Sequence, residues 1–219
     1  MTTFSKKEAL TFGWNTFKKN PWIFVGIAAF LAIVSLLFQQ VMPKEHSFVE
    51  LVLGIVTTVI QWWLYLGLTR ITLAAYAGSP ISFKMLFGES WNMLWHYIVA
   101  MVVTIVLVCI GLVLLVVPGI IVQIMLSLSV FLIVEKNMKP IEALKESRRL
   151  TKGHRWNMFL LFLLLALVNG VGLLLVGVGL LVTIPVTFLA LTWMYKEIEK
   201  GVQLEPVSNT PLITPTPKL

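Results

Sequence analysis

Four stretches of this chain contain no lysine, arginine or glutamate, and they constrain its fold more than any other feature. They cover residues 20–43, 51–69, 90–134 and 156–195, which are 24, 19, 45 and 40 positions long. A bilayer core about 30 Å thick is crossed by about 20 residues of helix. The first two gaps each match one crossing. The last two each match two crossings joined by a tight turn. Charged residues make up 12% of the chain, against roughly 25% in a soluble domain. A soluble globule of this length would lack the charge to cover its surface. The expected class is therefore an all-α polytopic membrane protein with six transmembrane helices in three hairpins.

Turn chemistry divides the long gaps. Val117-Pro118-Gly119 separates the third and fourth spans, since Pro-Gly is a strong local punctuator. Gly170, Gly172, Gly177 and Gly179 mark the end of the fifth span and the start of the sixth. The six helices are expected at about 21–42, 49–76, 93–117, 119–135, 155–176 and 179–198. The second exceeds one crossing and runs past Arg70 or tilts.

The basic residues set the orientation. One side carries residues 1–20, the 70–92 loop, the 135–155 loop and the C-terminal segment. Sixteen of the 17 Lys+Arg lie there, and the opposite side keeps Lys44 alone. The positive-inside rule then places both termini on the cytoplasmic side of a cell membrane, the inner membrane if the source is bacterial. Residues 1–20 do not read as a cleavable signal, because a polar, amphipathic stretch precedes the first apolar run. Residues 201–219 contain Pro206, Pro211, Pro215 and Pro217 among Ser, Thr and Asn, and read as a disordered cytoplasmic tail.

Three segments outside the spans are amphipathic. Ser5-Lys6-Lys7-Glu8 forms a capping box. The helix it opens within residues 1–20 gathers Ala9, Leu10, Gly13, Trp14 and Phe17 into an arc of about 140°, with Lys18 and Lys19 opposite. After Pro140, a helix over about 140–152 places Ala143, Leu144, Ser147, Leu150 and Thr151 within about 120°. Glu142, Lys145, Glu146, Arg148, Arg149 and Lys152 take its other side. A weaker segment over about 80–92 starts at Ser79-Pro80. Each segment precedes a hairpin and contains a similar run: Glu8-Ala9-Leu10 before Trp14-Asn15, Lys84-Met85-Leu86 before Trp91-Asn92, and Glu142-Ala143-Leu144 before Trp156-Asn157. This pattern suggests a three-fold pseudo-repeat of interfacial helix plus hairpin.

From Val117-Pro118-Gly119-Ile120-Ile121 onward, several motifs recur in a known group. They include Glu135, Glu142-Ala143-Leu144-Lys145-Glu146-Ser147, Leu150-Thr151-Lys152-Gly153-His154 and Gly177-Val178-Gly179-Leu180-Leu181-Val182-Thr183-Ile184-Pro185. In these the chain resembles the glycerophosphoryl diester phosphodiesterase membrane-domain family and its six-helix bacterial relatives of unknown function. The resemblance implies the membrane architecture only. Some members of that family add a catalytic domain that hydrolyses glycerophosphodiesters. The expectation here is the membrane part without that domain, so the resemblance carries over no catalytic residue.

The residue inventory narrows the chemistry further. All ten acids are glutamate, and the absence of aspartate removes the ligands that many Mg²⁺ and phosphoryl-transfer sites use. Cys109 is the single cysteine, so no disulfide within the chain and no CxxC site exist. His46, His96 and His154 are far apart, without metal-ligand spacing. No P-loop, GxSxG or dinucleotide-binding glycine pattern is present. No enzyme activity, cofactor or metal is expected, and nucleic acid is not an expected partner, because the positive charge is distributed as topology requires. The expected partners are membrane lipids, anionic ones in particular, with a membrane protein or a second copy of the chain as further candidates. The first functional reading is a non-enzymatic, lipid-interacting membrane module supporting an envelope or lipid-related process. Its anionic-lipid contacts would be Arg148, Arg149, Lys152, Arg155, Lys18 and Lys19. The alternative is a small transporter or lipid flippase with a polar seam at Gln61, Gln123 and Asn169, since intramembrane polar residues usually face other helices or a cavity.

Overall fold

The computed structural model describes residues 4–41, 48–174 and 177–204. The loop with Lys44 and His46 and the tail from residue 205 lie outside them. Among the described residues all regular structure is helical. In chain order the helices are α1 Lys6–Lys19, α2 Pro21–Val41, α3 Phe48–Tyr76, α4 Trp91–Leu114, α5 Val116–Leu126, α6 Ser129–Lys136, α7 Pro140–Leu150, α8 Arg155–Leu174 and α9 Leu180–Leu204, with a 3-10 turn at Phe83–Phe87.

Five stretches are long and apolar enough to cross a membrane: Leu51–Tyr76, Trp91–Leu114, Val116–Lys136, Arg155–Leu174 and Leu180–Val202. The third combines α5 and α6. A sixth is available if α1 and α2 count as one span, sharply bent by 98° between Lys19 and Pro21. The chain is thus a multi-pass membrane protein by helix length and composition.

Inside a bilayer, apolar side chains gain little from leaving lipid, so close backbone approach and interhelical hydrogen bonds hold helices together. Two hairpins show this directly. Leu115, at φ −171° and ψ 153°, separates α4 from α5. Pro118 therefore sits inside the first turn of α5 and not at the break, where its missing N–H removes no helical hydrogen bond. The hairpin then closes on two glycines: a Cβ added to Gly111 would stand 2.9 Å from Gly119 Cα. The α8–α9 hairpin closes the same way, since a Cβ on Gly179 would meet the Gly172 carbonyl oxygen at 2.6 Å. Further along α9, Thr192 Oγ1 donates to Thr72 Oγ1 of α3 at 2.8 Å, in the buried interior.

Three expectations change. The fourth span, expected as one helix over 119–135, breaks at Ser127–Leu128 into α5 and α6. The helix expected over 80–92 is only the 3-10 turn Phe83–Phe87, after which α4 begins at Trp91. That turn folds back along α3, where Gly67 permits it: a Cβ there would lie 2.3 Å from the Leu86 carbonyl oxygen. Lastly, the apolar side of α1 does not lie free for lipid. Ser5 caps α1 by accepting from Glu8 N–H at 3.4 Å, as its sequence suggests. But Ala9, Gly13, Thr16 and Phe17 are buried, and α1 packs along α9. A Cβ on Gly13 would come within 2.7 Å of the Val186 carbonyl oxygen.

Two apolar clusters result. The larger joins α1, α3, α4, α5, α6, α7, α8 and α9 around Leu66, Leu94, Leu132, Leu150 and Tyr195, with Ala9 the contribution of α1. The smaller joins α1, α2, α3, α9 and the 3-10 turn around Phe17, Phe24, Ile71, Leu86 and Leu189.

Candidate functional site

The α7 helix is built to present one basic face. Pro140 opens it and Glu142 lies in its first turn, where a negative charge suits the helix dipole. Ala143, Leu144, Ser147, Leu150 and Thr151, the five residues that share its less polar side, are all buried. They seat α7 against the break between α5 and α6. A helix broken at this depth frees backbone groups that lipid cannot satisfy. Ser147 supplies both partners: its Oγ donates to the Met125 carbonyl at 2.9 Å and accepts from Leu128 N–H at 3.2 Å. Thr151 Oγ1 reaches the same Met125 carbonyl at 3.3 Å. Sequence reasoning assigned Ser147 and Thr151 only to the apolar arc, because their partners lie 19 to 26 residues away.

With that side locked, the opposite side faces outward. Lys145, Arg148 and Lys152 are exposed. None of the three forms an ion pair among the described residues. Arg149 is different. Its Nε and Nη2 hold both Glu146 oxygens, at 2.7 and 2.6 Å. The hydrogen bond from Arg149 pulls the Glu146 carboxyl below the ordinary glutamate value, and the same bond pushes the Arg149 guanidinium up. Arg155 starts α8 half-buried, its Nε enclosed and without a hydrogen-bond partner among the described residues. Lys18 and Lys19 sit apart from this group, in the last turn of α1 beside Phe17 of the smaller cluster. Lys18 Nζ lies 5.4 Å from the Trp14 ring centre.

Beside this face runs a charged network. Glu135 of α6 pairs with Lys196 of α9 and accepts from the Tyr195 hydroxyl at 2.8 Å. Lys136 and Lys196 both hold Glu199. Tyr76 OH, at the end of α3, accepts from Lys200 Nζ at 2.6 Å. Arg70 and Glu135 both approach this end, yet they do not meet. Arg70 Nε stands 2.8 Å from Oε1 of Glu89, whose side chain is fully buried. Arg70 Nη1 also donates to the Gly88 carbonyl at 3.1 Å. Burial pushes the Glu89 carboxyl above the ordinary glutamate value, and the Arg70 charge offsets part of that rise.

The three residues of the expected polar seam stand in different surroundings. Gln61 is exposed on α3. Asn169 ties α8 to α9, its Nδ2 donating to Leu165 O at 2.9 Å and to Thr187 Oγ1 at 2.8 Å. Gln123 lines a cavity of about 690 Å³ bounded by α3, α4, α5, α6, α8 and α9, whose walls do not include Gln61 or Asn169. Apart from Gln123, the polar side chains on those walls are Tyr65, Tyr97, Thr104, Ser127 and Ser129. The Tyr65 and Tyr97 rings stack at 5.9 Å. No three His, Cys, Asp or Glu side chains come together as metal ligands among the described residues.

No curated protein and no solved structure matches the chain. The resemblance to the glycerophosphoryl diester phosphodiesterase membrane-domain family finds no support in these comparisons. Locally, the glycines let neighbouring helices approach closely, α4 and α5 at Gly111 and Gly119 and the α8–α9 pair at Gly172 and Gly179. Residues 34–201, from the middle of α2 to the last turn of α9, match the model of a protein family of unknown function, DUF975, and the chain belongs to that family.

Proposed function

We propose that this protein is a non-enzymatic membrane module that holds anionic lipid at the exposed face of α7, with that face and both termini on the cytoplasmic side of the cell membrane. One observation carries the reading. The side of α7 bearing Ser147 and Thr151 is fixed to the α5–α6 break, so Lys145, Arg148 and Lys152 are left exposed and without carboxylate partners among the described residues. A helix merely resting on headgroups would need its apolar side for lipid; here that side is used by protein, and the outward side offers charge, with Ile141 as its one exposed apolar residue. Each basic residue near an anionic leaflet is attracted by about 1 kcal/mol, over a Debye length of about 8 Å. Arg149, held by Glu146, and half-buried Arg155 extend the same chemistry at lower availability; Lys18 and Lys19, exposed at the end of α1, extend it away from α7.

The test is native mass spectrometry of the full chain extracted from membranes, with Arg148, Arg149 and Lys152 all replaced by Gln. The reading expects retained phosphatidylglycerol or cardiolipin to fall sharply. A correctly inserted triple variant with an unchanged lipid profile would leave these charges with a role in orientation alone.

A further inference from the structure

The 690 Å³ cavity carries none of the charge that α7 presents. Among the described residues, no Lys, Arg, Glu or His lies on its walls. The lining residues that are exposed are Leu112 of α4, Ile120 and Gln123 of α5, and Leu163 and Ala166 of α8, so the space is open on the side of these helices. These helices belong to the stretches long and apolar enough to span a membrane, so that opening faces hydrocarbon. Tyr97 and Met194 on the walls are buried and Tyr65 is half-buried.

Three features point to an occupant. The first is the α5–α6 break itself. Non-helical backbone at membrane depth is tolerated where it is buried in protein or lines a cavity, and Leu126, Ser127, Leu128 and Ser129 all line this one. The second is the supply of hydrogen-bond donors. Ser127, Ser129 and Thr104 spend their hydroxyl protons on backbone carbonyls three or four residues earlier, at Ile124 O, Leu126 O and Ala100 O, each at 2.8 Å. The Tyr65 and Tyr97 phenols and the Gln123 amide have no hydrogen bond among the described residues. A polar side chain within a membrane is ordinarily paired; three neutral groups around one apolar space remain unused. The third is volume. At about 30 Å³ for a water-sized group, the space holds roughly twenty such groups. That fits one long chain and is too small to enclose a two-chain phospholipid whole. An ionised head inside it would be buried without a counter-charge, which is strongly unfavourable.

We propose that this cavity binds a single long hydrocarbon chain ending in an uncharged hydrogen-bonding group: an alcohol, ester or amide. The chain enters between α5 and α8 and lies along Leu163 and Ile124. Its neutral end meets donors from Tyr65, Tyr97 or Gln123. The site is separate from the α7 face and stands or falls independently of it.

The experiment uses the full chain in detergent with a photoreactive, diazirine-bearing monoacylglycerol as probe, and labelled peptides are mapped by mass spectrometry. Labelling is expected to concentrate in residues 116–131 and 155–166. Ala166→Trp, which fills the opening, should lower it about tenfold. Gln123→Leu, at an exposed side chain with little change in bulk, should lower it about threefold through one lost neutral hydrogen bond. Excess unlabelled monoacylglycerol should compete, and phosphatidylglycerol should not. The proposal is overturned by labelling spread evenly over the apolar spans, by labelling unaffected by both variants, or by equal competition from phosphatidylglycerol.

Discussion

The α7 helix and the segment between α3 and α4 look alike in sequence and dock in opposite ways. Each combines apolar and basic residues, and each precedes a helix with tryptophan near its start. In α7 the pattern holds for eleven residues, Pro140–Leu150, and the whole helix seats through its own side chains. Between Ala77 and Ser90 it fails. Gly78 turns the chain at φ 71°, Ser82 and Gly88 flank a 3-10 turn of five residues, and Ser90 caps α4 by accepting from Met93 N–H. Its own anchors, Leu86 and Glu89, seat only because of two features of the helix beneath, the missing Cβ of Gly67 and the guanidinium of Arg70. An amphipathic helix carries its docking instructions in its own sequence. A short irregular segment borrows them from the helix beneath.

That contrast is open to direct attack. The largest effect is expected at Gly67→Ala, which forces a methyl group against the Leu86 backbone, where nothing flexible can yield. Overpacking of this kind costs about 3 kcal/mol. Thermal unfolding in detergent should show a clear drop, while Gly26→Ala, where an added Cβ meets nothing within 4 Å, should be neutral or slightly stabilising. Equal effects at the two glycines would mean that the 77–90 segment is not seated on Gly67.

A smaller loss is expected for Ser147→Ala. It removes only the hydroxyl, and so strips the partner from Leu128 N–H and one of two from the Met125 carbonyl. An unsatisfied buried group costs about 2 kcal/mol. Hydrogen exchange should rise at residues 125–130 as well as along α7. A rise confined to α7 would show that the break does not depend on it.

The smallest effect separates the two regions by sign. Glu89 has its carboxyl raised by burial, so the folded state binds the proton more tightly than the unfolded chain does. Its contribution therefore improves as pH falls from above its raised value toward the ordinary 4.5. Glu146 is lowered by the Arg149 hydrogen bond, so its contribution is present above 4.5 and is lost as pH falls through its folded value. Acidification should thus tighten residues 77–90 and loosen α7. Exchange rates of the two peptides, corrected for the intrinsic pH dependence, should move in opposite directions. A shift of both in the same direction contradicts the two assignments.

The same contrast explains how much could be read from the chain. The spans follow from uncharged length, and the buried side of α7 follows from a helical period that needs no knowledge of its partner. The α5–α6 break has no such signal. Leu126-Ser127-Leu128-Ser129 contains neither glycine nor proline, and what makes the break tolerable is Ser147, on another helix. The partner of Arg70 was equally hidden, since Glu89 and Glu135 are both acids near the ends of apolar runs and only the folding back of the 3-10 turn selects between them. The cavity lies still further from the sequence. Gln123 stood out as a polar residue in a span, but Tyr65 and Tyr97 join it from two other helices, and no spacing along the chain records that meeting.

The central claim is that exposed, unpaired charge on α7 holds anionic lipid, and the ion pair at Arg149 offers the most direct test. Phosphatidylglycerol binding to the delipidated full chain would be titrated at low and high salt for Arg148→Gln with Lys152→Gln, and separately for Glu146→Gln with Arg149→Gln. Two lost attractions of about 1 kcal/mol each predict about a thirtyfold weaker affinity for the first variant, with a flatter salt dependence. The second removes an ion pair and leaves the net charge unchanged, so it should change affinity far less. Equal losses in the two variants, or an affinity indifferent to both, would contradict the account.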